Sequence, residues 1–372
     1  MDETTPEKKK KILLICGRTV SVINFRAGLI RALLADGYHV SVLCLNEERR
    51  EEITALGVDF YCLAGNNRST NPLRVLSLLG RYKKLIRQLS PDIVFTFQAT
   101  PNMLGCLAAH RAGVKRIFAM VEGAGDVFVN EGHKWKMIRA AACFLYRRAF
   151  RHAEKVFFLN TDDIALFTGR KLVPAAHVER VFGIGVDQTV FTPQPMPEGH
   201  PAVFLMVARM VQTKGIFEYC RAAQIVRSKY PQTVFYYLGE EFTVKRSDIQ
   251  PYIDAGDVRY LGYERDVRPA MTQASCLVLP SYREGMPVTV MEAQSLGRAV
   301  IVTDVTGCRD TVKSGYNGYL VPVRDAAALA ERCIYLLEHP DLFATMGRNA
   351  ATFAKDHFDA DKINRQILSV IK

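Results

Sequence analysis

Short apolar runs alternate with stretches of helical apolar spacing along this chain, and that alternation restricts it to one kind of architecture. Residues 12–16 (I-L-L-I-C) read as a buried strand ending at Gly17-Arg18. Helical spacing follows through Val22, Phe25, Leu29, Ile30, Leu33 and Leu34 and closes at Gly37. The pattern repeats, with strands expected at 40–45, 58–62, 92–97, 115–121, 155–160 and 178–182. Helices are expected at 47–56, 71–89, 101–111 and 161–168. Strands separated by helices pair in parallel, so the class is α/β.

The pattern then restarts. Residues 191–201 hold prolines at 193, 195, 197 and 201 and read as a linker. Beyond it come strands at 202–207, 233–238, 258–261, 276–279 and 299–302, with helices at 216–229, 265–273 and 288–296. A tight turn and strand at 315–323 precede three closing helices, the last at 359–371. At 372 residues, two cores are expected. The expected division is 1–192, a linker at 193–201, 202–356, and a terminal segment at 357–372.

Charge and cysteine usage narrow the function. A net charge of +11 favours anionic partners: a membrane surface, nucleic acid or phosphorylated substrates. The nine cysteines are scattered singly with no C-x-x-C pair, which argues against zinc and for a reducing compartment. The polar N-terminus and the short apolar piece after it suit neither a signal peptide core nor a span.

The candidate site residues sit in loops after strands. Residues 280–293 read P-S-Y-R-E-G-M-P-V-T-V-M-E-A, a loop running into a helix. A helix start with Gly285 and Pro287 suits a diphosphate. Glu284 and Glu292 are acceptors for sugar or ribose hydroxyls. Arg209 and Lys214 bracket the loop after the strand at 202–207 and could grip a diphosphate. In the first half, Gly17 opens a turn suited to a phosphate or sugar, without G-x-G-x-x-G spacing. Glu122 and Asp126, in V-E-G-A-G-D-V-F, are candidate acids at a carboxyl edge. The stretch 132–152 interleaves Trp135, Met137, Phe144 and Tyr146 with Lys134, Lys136, Arg147, Arg148 and Arg151. That mixture suits the plane of an anionic membrane, with an ordinary packed surface helix as the alternative. No nucleic-acid module is recognisable, so no nucleic-acid partner is expected.

Taken together, Arg209 with Lys214-Gly215, then E-G-M-P-V-T-V-M-E-A, then G-Y-N-G-Y-L-V-P from Gly315 resemble the glycosyltransferase family 4 signature in order and spacing. The resemblance spans the whole chain, with its specific motifs in the second half. It implies the GT-B fold: two Rossmann-like domains facing across a cleft, with the C-terminal helix crossing back to the first. It also implies metal-independent transfer of a sugar from a nucleotide donor, with retention and no cofactor. Arg209 and Lys214 would neutralise the donor diphosphate, Glu284 would meet sugar hydroxyls, and Glu292 the ribose. Backbone groups of Met286, Pro287, Val288 and Thr289 would bind phosphate or sugar. Gly262 and Tyr263 would hold the base, and Gly17 would close over the donor. Many members carry a His after the fifth strand of the first domain. Here the sequence reads F-A-M-V-E-G, and Glu122 or the acceptor would take part of that role.

The opening V-x-x-x-F-R-A-G-L, the V-E-G-A-G-D-V-F loop and G-C-R-D resemble members using UDP-sugars on polyprenyl-diphosphate acceptors. The expectation is a cytoplasmic enzyme, peripheral at the inner membrane face, moving a hexose or N-acetylhexosamine in bacterial surface-polysaccharide or lipid-linked oligosaccharide synthesis. Glycoside hydrolysis has no need of a diphosphate clamp. A sugar-nucleotide epimerase of the same fold and a non-enzymatic basic protein binding membranes or nucleic acid remain the alternatives.

Overall fold

The computed structural model describes residues 9–65, 71–129, 132–198 and 201–372. The side chain of Asp126, one of the candidate acids, lies outside the described residues. The chain divides into two compact units, Met1–Ile184 with Asp361–Lys372, and Gly185–Ala360.

The first unit holds seven strands: β1 Lys11–Ile15, β2 His39–Cys44, β3 Asp59–Cys62, β4 Ile93–Phe97, β5 Arg116–Val121, β6 Lys155–Phe158 and β7 Val178–Arg180. They form one parallel sheet in the order β3-β2-β1-β4-β5-β6-β7. Its helices are α1 Thr19–Ala35, α2 Arg50–Thr54, α3 Pro72–Leu89, α4 Cys106–Ala112, α5 Asp126–Val129, α6 His133–Phe150 and α7 Thr161–Gly169. Strands such as β4 are buried along their whole length, because helices cover both faces of a parallel sheet.

The second unit repeats the plan. Its strands are β8 Val203–Val207, β9 Val234–Leu238, β10 Arg259–Tyr260, β11 Cys276–Leu279, β12 Ala299–Thr303 and β13 Gly318–Val321, in the order β10-β9-β8-β11-β12-β13. Its helices are α8 Ile216–Lys229, α9 Arg246–Asp254, α10 Arg268–Gln273, α11 Val288–Ser295, α12 Ala326–Glu338 and α13 Asp341–His357. The last helix, α14 Ala360–Ile371, packs with the first unit through Ile363, Ile367, Leu368 and Ile371. Arg116 donates to the carbonyls of Ile371 and Lys372, and Lys372 Nζ pairs with Asp36 at 2.7 Å.

Both sheets are doubly wound. The chain leaves β1 toward one side and β4 toward the other, and the same reversal separates β8 from β11. Loops part at such switch points, leaving a crevice at the carboxyl ends of the strands.

Several local expectations change. Within the described part of the expected linker, 193–198, Arg298 donates to the Gln194 and Pro195 carbonyls at 3.0 and 2.9 Å, which fastens that stretch to the second unit. The helix expected at 47–56 shrinks to α2. The one expected at 101–111 opens with a π turn over Pro101–Gly105, where Asn102 donates to the Met120 carbonyl at 2.7 Å. Helix α9 was invisible to apolar periodicity, since it is polar and carries Pro251 in its interior. All nine cysteines are free thiols.

Arg298 is fully buried and also donates to the carbonyls of Met271 and Thr272, at 3.2 and 2.8 Å. Burial lowers its guanidinium to about 10. Only a planar fork reaches that set of acceptors. Arg298→Lys should lower the unfolding free energy of the second unit by about 3 kcal/mol. Urea denaturation measures this, and an unchanged midpoint would contradict the clamp.

Candidate active site

At the second switch point, the loop after β8 meets the loop after β11. Tyr282 N donates to the Thr213 carbonyl at 2.8 Å, and Glu284 N to the Thr306 carbonyl at 3.1 Å. Two glycines permit this approach. A Cβ on Gly215, at φ +75°, would come within 2.1 Å of the Pro280 carbonyl oxygen. One on Gly307, at φ +77°, would come within 2.6 Å of the Glu284 carbonyl oxygen.

Those loops bring Lys214 and Glu284 together. Lys214 Nζ donates to Glu284 Oε1 at 2.5 Å, and Ser281 Oγ donates to the same oxygen at 2.7 Å. The side chains are 24% and 11% exposed, so solvent screens the pair weakly while leaving the ammonium reachable. The lysine is therefore aimed and charge-balanced before any ligand arrives.

Glu292 is handled differently. It lies in α11, half-buried, with no hydrogen bond or ion pair to its carboxyl among the described residues. Burial, with a smaller contribution from Asp266, pushes it up to about 8. A desolvated carboxyl of this kind lacks hydroxyl donors, which is what a ribose diol supplies.

Arg209 is exposed on the loop after β8, its guanidinium 5.4 Å from the ring centroid of Phe242. No hydrogen bond or ion pair joins it to Lys214, Glu284 or Glu292. Gly262, at φ +80°, accepts from Gly239 N at 2.8 Å, and the neighbouring Tyr263 is 64% exposed. Gly285, Met286 and Pro287 complete the loop that leads to Val288 and Thr289, the first residues of α11. Sequence reasoning missed Ser281, Thr306 and a buried support. Tyr282 Oη donates to Glu218 Oε1 at 2.9 Å, and the Arg324 guanidinium lies 4.7 Å from the Tyr282 ring centroid. The signal was there: Glu218 is an acid at a core-facing position of α8.

The first unit's switch point holds Gly17. Its N–H donates to Gln98 Oε1 at 2.9 Å, and Gln98 Nε2 donates to Ser21 Oγ at 2.6 Å. Gln98 adopts φ +74°, and Asn46 accepts from Thr19 N at 2.9 Å. Neither Gln98 nor Asn46 had been singled out. Glu122 is ion-paired with Arg26, a nearly buried guanidinium 4.4 Å from the Phe97 ring centroid. Burial lowers Arg26 to about 10, and the ion pair with Glu122 gives this shielded guanidinium an opposite charge at contact distance. Among the described residues no cluster of His, Cys, Asp and Glu is arranged to hold a metal ion.

Two doubly wound α/β units with loops gathered at their carboxyl edges match the GT-B fold. A solved structure of Anabaena Alr3699/HepE in complex with UDP and glucose superposes with a TM-score of 0.80, at 17% identity over 97% of this chain and 99% of that one. Residues 188–353 match the family described as "Glycosyl transferases group 1", and residues 11–160 match "Glycosyl transferase 4-like". A Bacillus subtilis protein assigned to teichuronic acid biosynthesis as the glycosyltransferase TuaC is 34% identical over 340 residues, covering 80% of this chain and 85% of that protein. N,N'-diacetylbacillosaminyl-diphospho-undecaprenol alpha-1,3-N-acetylgalactosaminyltransferase of Campylobacter jejuni is 27% identical over 343 residues, covering 89% of this chain and 90% of that enzyme. The chain belongs to glycosyltransferase family 4.

The state of Glu292 has a measurable consequence. Its folded value, about 8, lies above the ordinary 4.5. The unfolded chain therefore loses the proton first, and the group's contribution to stability falls as pH rises from 4.5 to 8. Glu292→Gln should be within about 1 kcal/mol of the wild type near pH 5 and exceed it by on the order of 4 kcal/mol near pH 8. Paired thermal or urea unfolding at the two pH values checks this.

Proposed function

We propose that this glycosyltransferase moves a hexose or N-acetylhexosamine from a UDP-sugar to a polyprenyl-diphosphate-linked acceptor, with retention, at the cytoplasmic face of the membrane. The observation that carries the reading is the Lys214–Glu284 pair at the β8/β11 switch point. The diphospho-undecaprenol acceptor of the Campylobacter relative supports the acceptor class. The Anabaena complex with UDP and glucose supports the donor class.

In this reading, breaking the sugar–phosphate bond puts negative charge on the departing diphosphate. Lys214 stabilises that charge, and Arg209 closes on it from the exposed side. Such stabilisation is often the largest catalytic term. Glu284 aligns Lys214 and accepts sugar hydroxyls on its remaining oxygen. Glu292 takes the ribose, giving up its proton as the diol donates to it. Tyr263 supplies an exposed ring for the base, and the start of α11 supplies N–H groups to phosphate. Glu122, held in place by its ion pair with Arg26, accepts from the incoming hydroxyl. Helix α6 presents the membrane surface, with Met137 and Phe144 exposed beside its cations.

A panel of UDP-, GDP- and other nucleotide sugars tests the donor. A thermal shift with a UDP-sugar, followed by transfer to a short polyprenyl-diphosphate acceptor, is expected. No shift with any nucleotide sugar would contradict the proposal, and release of an epimerised nucleotide sugar would point to epimerase chemistry. Lys214→Ala should cut kcat/KM by about 100–1,000-fold. Vesicle binding should be unchanged, and equal loss of both would favour a non-enzymatic basic protein.

A further inference from the structure

The far end of α6 carries a group of side chains that the site above does not use. Helices α4 and α6 each return the chain to the start of the next parallel strand. Their C-terminal ends therefore lie at the amino edge of the sheet, opposite Gly17 and Glu122. There His110, Phe144, Arg147, Arg148, Arg151 and His152 line a cavity of about 530 Å³.

No carboxylate lines this cavity. The imidazoles of His110 and His152 stack with centroids 3.5 Å apart and planes within 8°. Arg147 is committed to the carbonyls of Lys171 and Arg170, at 3.2 and 3.4 Å. The Arg148 guanidinium lies 5.5 Å from the Phe144 ring centroid, and neither it nor Arg151 has a side-chain hydrogen bond or ion pair among the described residues. Burial first, then His110 on α4 and Arg151 and Arg148 at the end of α6, hold His152 below its ordinary value. Every charged group acting on that imidazole is basic. A cavity so lined lacks a multivalent anion.

The same helix shows which source of anion fits. Met137, Phe144 and Arg151 recur at seven-residue intervals on its solvent side, and Met137 and Phe144 are 75% and 54% exposed. A free phosphate has no use for those apolar groups, whereas a headgroup layer buries them. At its other end α6 is tied to the catalytic edge, since Arg139 Nε donates to the Val127 carbonyl at 2.8 Å, five residues beyond Glu122. A helix of 18 residues is about 27 Å long, so one lying flat along the headgroup layer carries the loop of Glu122, tied to its first half, close to that layer.

We infer that the cavity between Arg148, Arg151 and the stacked His110–His152 pair seats the phosphate of an anionic membrane lipid and fixes α6 flat on the surface. This rests on the membrane reading of α6 proposed above. A bound anion favours a protonated His152, so for a headgroup of constant charge binding takes up a proton and strengthens as pH falls.

Co-sedimentation of the full chain with vesicles tests this, using phosphatidylcholine alone and with phosphatidic acid. Arg148→Gln with Arg151→Gln removes two charges from the cavity. Lys134→Gln with Lys136→Gln removes two from the same helix outside it. The first pair should weaken binding to phosphatidic acid vesicles at least about tenfold, and the second less than about threefold. Wild-type binding to vesicles carrying phosphatidylglycerol, whose phosphodiester charge is constant over this range, should be tighter near pH 5.5 than near pH 7.5, and both variants should keep the wild-type melting temperature. Equal losses would overturn the headgroup site while leaving membrane binding intact. A wild type that ignores the acidic vesicles would remove both claims. Inorganic phosphate that raises the melting temperature of the wild type but not of the cavity variant, without vesicle binding, would assign the cavity to a soluble anion and overturn the lipid.

Discussion

A parallel sheet has no short way from one strand to the next. Each connection crosses a face as a helix, and where the crossing direction reverses, two neighbouring loops part. That constraint fixes where this chain can do chemistry. β1 and β4 flank one such point, β8 and β11 the other. Gly17 and Gln98 meet at the first, Lys214 and Glu284 at the second. Glycine at 215 and 307 lets the second set of loops pack backbone against backbone. The site is thus a product of topology first and of side-chain chemistry second.

The chain carries an excess of cations, yet its shielded ones are compensated. Arg26 has Glu122, Lys214 has Glu284, and Arg298 has a ring of carbonyls. Compensation matters because an unpaired charge away from water is costly. Glu292 is the counter-case. Among the described residues its carboxyl has no hydrogen-bond or ion-pair partner, and burial pushes it up to about 8. At the end of α6, arginines and histidines line a cavity with no acid among its described lining residues. Both features make sense for a protein whose ligands bring hydroxyls and phosphates.

Much of the fold was legible because buried parallel strands leave continuous apolar runs. Residues 276–279 and the helix at 216–229 stand where the pattern placed them. Polar helices were not legible: α9 has no strong apolar stripe and contains a proline. Of the site, spacing exposed the charged residues, because acids and bases in glycine loops stand out against strand ends. It could not show which of them touch. Arg209 and Lys214 look like a matched pair along the chain. In space Lys214 belongs to Glu284, and Arg209 lies over Phe242. Gln98, Asn46 and Ser281 escaped notice because neutral hydrogen-bonding residues carry no distinctive pattern. The prolines at 193, 195 and 197 tell only part of the story for a related reason. Proline marks an irregular backbone, but only the buried Arg298 reveals that the irregular backbone is anchored.

The central physical statement is that Lys214, held by Glu284, receives the diphosphate. Calorimetric titration of UDP into the wild type, Lys214→Ala, Glu284→Gln and the double variant isolates it, because UDP carries no transferable sugar for Glu284 to touch. Losing Lys214 should weaken binding at least about tenfold. Losing Glu284 should weaken it less, and the double variant should equal Lys214→Ala alone, since the acid acts through the lysine. A Lys214→Ala protein that binds UDP as tightly as the wild type would contradict the account.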